Sequence, residues 1–250
     1  MIWAATDLKG MAIAATDGDI GTVSDLLFDD LTWRLRWLVA DTGNWLPGRL
    51  VLLHPSALGT PDGERRAVPV NLTKARVETG PDIQQDLPVS RQMEHGVFAY
   101  YGWDPLWGGG AFGMDALAVP MAPSMAGAAS VDAAAVEHEG DPHLRSVFAT
   151  TGHHIHAQDG DIGHAKDFLI DDAGWRLRYM VVDTRNWWPG KQVLLAPSAV
   201  TGIDWSDQSI AVNVSREQVS ASPEWHPAKA MDAAYETSLR SHYNWPSSGV

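Results

Sequence analysis

The feature that most constrains the fold is an internal repeat. The segment Asp171–Ala199 occurs once before, 142 residues earlier, as Asp29–Ala57. When the comparison is extended to 10–57 and 152–199, the two copies align without a gap and agree at 29 of 48 positions. Self-similarity at a fixed offset is the signature of a structural unit that is used more than once. We therefore expect one small fold to be present twice in this chain.

Each copy has the pattern of short antiparallel strands. Met11, Ile13 and Ala15 alternate along the first strand, and the turn at 16–19 contains an Asp-Gly pair, which is typical of hairpins. The segment 33–39 returns as a third strand whose apolar residues alternate and then become continuous. Strands with apolar residues on both faces are covered on both sides. The pattern predicts a mainly β fold.

The hairpin register predicts one charge pair in each copy. If Phe28 pairs with Trp33, then Asp25 lies opposite Arg36. The second copy repeats this register, with Asp167 opposite Arg178, Ile170 opposite Trp175, and Phe168 opposite Leu177. We expect a contact between the two charges in both copies.

Helices are predicted after the strands of each copy. Thr73 and Ser215 are placed to cap a short helical turn, and Gln218 completes a capping box in the second copy. Ser90 is a predicted N-cap for a longer helix. The apolar residues at the same offset in the two longer helices, Val97 and Leu239, are expected to pack against the strands or the other domain.

The predicted organisation is therefore two small β-barrels in tandem, each followed by a C-terminal α-helix. The first occupies 1–103 and the second 143–250, and the segment 104–142, rich in Gly, Ala, Met and Pro, is read as a linker. We expect the two barrels to fold separately and to pair with each other about a pseudo-twofold axis, because matched surfaces bury each other in that way.

Composition limits the classes of partner. The chain has 31 acidic and 18 basic residues and a formal net charge of −13, which disfavours binding to nucleic acid. It has no cysteine, so disulfides and thiolate metal sites are excluded. No apolar run reaches the length of a transmembrane segment, and the first residues do not resemble a signal peptide. We expect a soluble, cytoplasmic protein.

The order of motifs resembles one known family. The phrases GDIG, DLLFDD, WLVADTGNWLPG, VLLHPSAL and VNLT are similar to the PRC-barrel family. This family is named for the cytoplasmic domain of the photosynthetic reaction-centre H subunit and is found also in ribosome maturation factors. The resemblance covers nearly the whole chain except the linker, and the similarity of HLRSVFATTGHHIHAQDGDIGHAKDFLIDD to a second barrel implies a tandem member.

Two branches of the family provide alternative roles. An H subunit is expected to have an N-terminal membrane helix, whereas the repeat here begins at Gly10. A ribosome maturation factor is expected to place a different barrel before a single PRC barrel, whereas both copies here are of the same kind. The resemblance therefore implies a fold and leaves the process open.

One cluster of histidines is a weak candidate for a metal site. His154 and His156 share one strand face, and His164 lies across the hairpin. The first copy has Ala12, Ala14 and Thr22 at these positions, so any metal site belongs to the second copy alone. The alternative reading is that these are solvent-facing histidines. No other metal, catalytic or cofactor site is predicted, and a triad of Ser56, His54 and Asp41 is disfavoured because Ala196 replaces His54 in the second copy.

Tryptophans in a repeated Pro-Gly loop are candidates for partner contact. Trp45 lies in this loop in the first copy, and Trp187 and Trp188 lie in it in the second. Exposed aromatic residues are common at protein interfaces. Trp33 and Trp175 are instead expected in the core. The leading hypothesis is a non-catalytic protein-binding or assembly module, and the rival is an enzyme or metal-binding protein that uses the histidine hairpin.

Overall fold

The computed structural model describes residues 1–81, 91–103, 141, 143–184, 191–227 and 231–245. The predicted linker at 104–142 lies outside these residues except for Asp141, and so do the predicted cap Ser90 and the second-copy loop residues Trp187 and Trp188. None of the helices in the described part of the chain is long and apolar enough to span a membrane.

Among the described residues, the first half contains strands and three α-helices. They are β1 (Ile2–Ala4), α1 (Ala5–Leu8), β2 (Ala12–Ala15), β3 (Gly18–Asp29), β4 (Arg34–Asp41), β5 (Leu50–Leu53), β6 (Ala67–Pro69), α2 (Lys74–Glu78) and α3 (Arg91–Tyr101).

The second half repeats this succession and adds one strand. It contains β7 (Leu144–Ser146), α4 (Val147–Thr150), β8 (His154–Ala157), β9 (Gly160–Asp171), β10 (Arg176–Asp183), β11 (Gln192–Leu195), β12 (Val200–Asp204), β13 (Ser209–Val212), α5 (Arg216–Ala221) and α6 (Ala233–Tyr243). The additional strand, β12, replaces the two isolated bridges of the first half.

The described strands form one 13-stranded sheet in the order β12-β13-β8-β9-β10-β4-β3-β2-β6, with β1, β5, β7 and β11 paired to its members. The prediction of a mainly β fold is confirmed. The pairs β2–β6 and β8–β13 are parallel, and the other strand pairs within each half are antiparallel. Trp33 and Trp175 are buried, as expected, at 7% and 3% exposure.

The two halves are joined by a reciprocal exchange of strands. β1 of the first half pairs with β9 of the second, and β7 of the second half pairs with β3 of the first. The registers are equivalent under the 142-residue offset, since Ile2 lies opposite Asp171 and Leu144 lies opposite Asp29. Pairing of the halves was predicted from the repeat, whereas the exchange of strands was not.

The centre of the interface is the contact between β4 and β10. Arg34 and Arg176 are direct partners in this pair. The amide of Leu35 donates to the carbonyl of Trp175 at 2.8 Å, and the amide of Leu177 donates to the carbonyl of Trp33 at 2.9 Å. The 142-residue offset makes these two bonds equivalent to each other, as expected for pseudo-twofold pairing about this point.

The predicted hairpin register is wrong. Phe28 lies opposite Leu35 rather than Trp33, because Trp33 adopts a positive φ of 57° and belongs to the turn. A β-bulge then shifts the register, so that Asp25 lies opposite Val39 and Arg36 falls at the bulge. The second half behaves in the same way, with Asp167 opposite Val181, Ile170 opposite Leu177 and Phe168 opposite Met180. The predicted Asp25–Arg36 and Asp167–Arg178 pairs are therefore replaced by other contacts.

One repeated glycine permits a close approach of strands. Gly21 has a φ of 143°, and a Cβ there would lie 2.1 Å from the carbonyl oxygen of Asp41. Gly163 has a φ of 127°, and a Cβ there would lie 2.0 Å from the carbonyl oxygen of Asp183. Only glycine tolerates both the conformation and the contact. The last glycine of the GDIG motif is therefore required by the backbone.

The predicted caps and helix packing are confirmed in the described residues. The side chain of Thr73 caps α2, and Ser215 and Gln218 form a complete capping box on α5. Val97 in α3 and Leu239 in α6 are buried, at 1% and 0% exposure. Each C-terminal helix is therefore part of the packed core.

Candidate functional site

The loop that carries Trp45 is ordered by its own hydrogen bonds. The Thr42 hydroxyl donates to the carbonyl of Leu46 at 2.7 Å and lies 2.8 Å from that of Arg49. The ring of Trp45 is half-buried against the core, and the Nζ of Lys74 lies 4.9 Å from its centroid. This predicted contact residue therefore presents only part of its surface to solvent.

The corresponding loop of the second half begins in the same way. Thr184 is buried, and its hydroxyl donates to the carbonyl of Lys191 at 2.8 Å, which is equivalent to the carbonyl of Arg49 that lies 2.8 Å from the Thr42 hydroxyl. Trp187 and Trp188 lie outside the described residues. Their predicted role in partner contact stays a prediction.

The histidine hairpin of the second half brings two of its three candidates face to face. His154 in β8 and His164 in β9 are direct cross-strand partners. His156 is one residue beyond a bulge, and its Nδ1 is paired with the carboxylate of Asp161. His154 and His156 are exposed, and His164 is half-buried. The described residues hold no group of three His, Cys, Asp or Glu side chains that is arranged to bind a metal ion.

His54 and Ser56 are in contact, and this contact stabilises a turn. Nδ1 of His54 accepts from the backbone amide of Ser56 at 3.3 Å and lies 2.9 Å from its hydroxyl. The imidazole is 3% exposed and lies against the rings of Trp37, Phe98 and Trp103. This arrangement caps the turn at Pro55–Ala57.

Two half-buried carboxylates at equivalent positions hold the exchanged segments. Asp25 accepts a hydrogen bond from the hydroxyl of Ser146 at 2.7 Å, and Asp167 accepts from the amide and hydroxyl of Thr6. Burial raises the pKa of both aspartates above the usual range, although these hydrogen bonds oppose the shift. The donors come from the opposite half in each case, so both aspartates connect the halves.

A second pair of carboxylates anchors the exchanged strands themselves. Asp30 contacts the Nδ1 of His143 at 2.9 Å and the Nε of Arg145 at 3.1 Å. The equivalent Asp172 accepts from the amino group of Met1 and from the indole of Trp3. The partners differ in chemistry, but each is a donor from the exchanged strand.

The contacts beside the exchanged strands differ between the halves. Trp3 packs against Gly63, where an added Cβ would lie 3.2 Å from the indole. At the equivalent positions, the guanidinium of Arg145 lies 4.3 Å from the ring centroid of Trp205. The large aromatic ring is Trp3 of the exchanged strand β1 in one case, and Trp205 in the turn between β12 and β13 in the other. The two exchanged strands are therefore not interchangeable.

Trp205 also covers a buried histidine. His153 is 3% exposed, and its ring centroid lies 5.1 Å from that of Trp205. Its Nε2 is buried and has no hydrogen-bond partner among the described residues. The first half has the buried Met11 at this position. An imidazole therefore replaces a thioether in an otherwise apolar environment.

The C-terminal helix of the first half is fixed by a buried charge network. Arg36 is paired with Glu94 of α3, and it contacts Asp141 at 2.7 Å. The indole of Trp37 also donates to Glu94. The side chains of Glu94 and Asp141 are 3% and 0% exposed. Arg36 therefore compensates two buried carboxylates, which is the role it takes in place of the predicted contact with Asp25.

The second half has a related network that is more exposed to solvent. Arg178 contacts Glu236 of α6 at 2.8 Å, the hydroxyl of Tyr179 donates to Glu236 at 2.9 Å, and Arg240 contacts it at 2.9 Å. Burial opposes ionisation, but the Tyr179 hydrogen bond and the two guanidinium groups outweigh it and lower the pKa of Glu236. The sequence could have suggested this contact, because Glu94 and Glu236 are identical at the 142-residue offset.

The contacts of Asp25, Asp30, Asp167 and Asp172 join the two halves. The charge networks of Arg36 and Arg178 fix a packed helix within each half. The comparison with protein families agrees with this architecture. Residues 3–82 match the PRC-barrel domain. The match confirms the predicted family for the first half, and the second half was not matched. No curated protein matches the chain.

The exchange of strands between the halves could not be found by alignment. At the 142-residue offset, the segment 1–9 shares no identical residue with 143–151. The signal that remains is apolar character at equivalent positions before each repeat, at Ile2 and Leu144 and at Ala5 and Val147. The strands were preserved as backbone elements, and their side chains changed with their different neighbours.

Proposed function

We propose that this protein is a non-catalytic assembly module made of two PRC barrels, the second formed by the residues from 143 onward, which pair within one chain. The observation that carries the proposal is the reciprocal strand exchange, in which β1 completes the sheet of the second half and β7 that of the first. An exchange of this kind is how two copies of one unit form a closed dimer.

The residues that the repeat retains support a structural role. The retained polar side chains at Asp25, Asp30 and Arg36 and their equivalents all make contacts between elements. The candidate histidines are not retained, since His54 becomes Ala196 and His164 has Thr22 as its equivalent. A duplicated catalytic unit would be expected to keep its reactive groups in at least one recognisable constellation.

The repeated Pro-Gly loops are the proposed contact surface for a protein partner. Trp45 is half-buried and retains some exposed aromatic surface, and Trp187 and Trp188 occupy the same loop in the second copy by sequence. Aromatic residues in such positions often dominate binding energy at interfaces. The pairing of the halves would fix the two loops relative to each other, so a partner could engage both at once.

Expression of the two halves as separate chains tests the pairing. Residues 1–103 and 141–250 should associate in a 1:1 complex when they are mixed, measured by light scattering after size-exclusion chromatography. Arg34 and the exchanged strands would supply the interface. Halves that remain monomeric after mixing would refute the assembly model.

Capture from the native cell tests the contact surface. A variant with Trp187→Ala and Trp188→Ala should lose a partner that the wild type retains. The control is Leu31→Ala, because Leu31 is 69% exposed and the second copy has Ala173 there. If both variants retain the same partners, the loops are not the contact surface.

A further inference from the structure

The second half carries a pair of histidines that the first half lacks. His154 and His164 are direct partners across the antiparallel pair β8–β9. Directly opposite residues of antiparallel strands point to the same face, with Cβ atoms about 4.5–5.5 Å apart. His154 is exposed and His164 is half-buried. Two imidazoles therefore share one accessible face of the β8–β9 hairpin.

We propose that His154 and His164 form a two-imidazole binding site for a divalent transition-metal ion of the Zn²⁺, Ni²⁺ or Cu²⁺ class. Imidazole nitrogen is a preferred ligand for these ions. The paired strands hold both rings at one position in the sheet, so that chelation does not require a loop to be ordered. Water completes the coordination, because no third ligand is arranged around the pair in the described residues.

The neighbouring side chains are engaged elsewhere. His156 is paired with Asp161, and His153 is buried against Trp205. Asp183 lies opposite His164 on the next strand, but its side chain is fully buried. The pair is therefore assigned as the only ligands from the described part of the hairpin.

The repeat itself provides the test variants. The first half has Ala12 and Thr22 as direct partners at the equivalent positions of β2 and β3. His154→Ala and His164→Thr therefore install residues that the same fold already accepts. The reverse changes, Ala12→His and Thr22→His, would transplant the pair to the first half.

Calorimetric titration of the full, untagged chain with NiCl₂ and with ZnCl₂ tests the proposal. The wild type should bind one equivalent, and each of His154→Ala and His164→Thr should weaken binding by about tenfold or more, since a single imidazole cannot chelate. His156→Ala should leave the affinity unchanged within about threefold. Transplanting the pair into the His154→Ala, His164→Thr double variant should restore one site.

Several results would overturn the assignment. These are an absence of saturable binding to the wild type, binding that persists in the double variant, or an equal loss in His156→Ala. Failure of the transplanted pair to bind would show that two facing imidazoles on this hairpin are not sufficient. Circular dichroism of each variant should match the wild type, because the substituted residues come from the equivalent hairpin.

Discussion

Arg36→Gln is predicted to destabilise the protein far more than the equivalent Arg178→Gln. Arg36 is 14% exposed and contacts two carboxylates whose side chains are 3% and 0% exposed, those of Glu94 and Asp141. Removing one member of a buried ion pair costs about 3–5 kcal/mol, because the remaining charge is not solvated. Glutamine preserves much of the side chain's length and polarity, so the main change is the loss of the positive charge.

The second half provides the matched control. Arg178 is 30% exposed, and its partner Glu236 is 26% exposed and keeps its contacts with Tyr179 and Arg240. Pairs with this access to solvent contribute about 0.2–1 kcal/mol. The same substitution at the same position of the fold should therefore have effects that differ by about 2 kcal/mol or more.

Urea unfolding followed by circular dichroism, together with thermal melting, measures the difference. For a chain of this size, 1 kcal/mol shifts the melting temperature by about 2–4 °C. We therefore expect a decrease of at least about 6 °C for Arg36→Gln and no more than about 4 °C for Arg178→Gln. Equal shifts, or a smaller shift for Arg36→Gln, would refute the argument that burial of its carboxylate partners determines the cost.

Three further outcomes follow from the same structure. Leu239→Ala should lower the free energy of unfolding in urea by about 2–5 kcal/mol, because Leu239 is fully buried. Ser238→Ala, at an exposed position of the same helix, should change it by less than about 0.5 kcal/mol. Similar values for the two variants would contradict the packing of α6. His153→Met should raise stability by about 1–3 kcal/mol in the same assay, because the buried Nε2 of His153 lacks a partner in the described residues. Met11→His should lower stability for the same reason. A loss of stability in His153→Met would mean that Nε2 is satisfied. The raised pKa of Asp25 means that the folded state takes up a proton more readily than the unfolded state, so the charged Asp25 destabilises the fold fully above the folded pKa and less as the pH falls toward the unfolded pKa. Asp25→Asn should therefore raise the urea midpoint relative to wild type most at about pH 7 and lose that advantage toward about pH 4. A difference that does not depend on pH would contradict the shift.

Local patterns in the sequence were sufficient for the elements of the fold. The Asp-Gly turn, the alternation in 11–15 and the capping residues Thr73 and Ser215 act over a few residues, and the corresponding strands and helices are present. Burial of Val97 and Leu239 could also be predicted, because a helix with one apolar stripe must cover it. The family of residues 3–82 followed from the order of these motifs.

The register and the candidate sites depended on contacts that alternation does not encode. The turn extends through Trp33, and a bulge then adds one residue to the strand. Arg36 is therefore displaced from the predicted position opposite Asp25 and contacts Glu94 instead. The facing of His154 and His164 was anticipated because the short hairpin between them has few alternative registers. The half-buried state of Trp45 was not anticipated, because it depends on contacts with Lys74 and with the core.

The sequence by itself determined that one fold is present twice, since 29 identities at one offset specify the same strands and turns in both copies. Only the tertiary structure decided which half each N-terminal strand belongs to. Strand pairing is formed by backbone amides and carbonyls, which are the same for every residue, so β1 and β7 could exchange partners without any shared side chain at 1–9 and 143–151. The side chains at Asp25, Asp30 and their equivalents then fix the exchange.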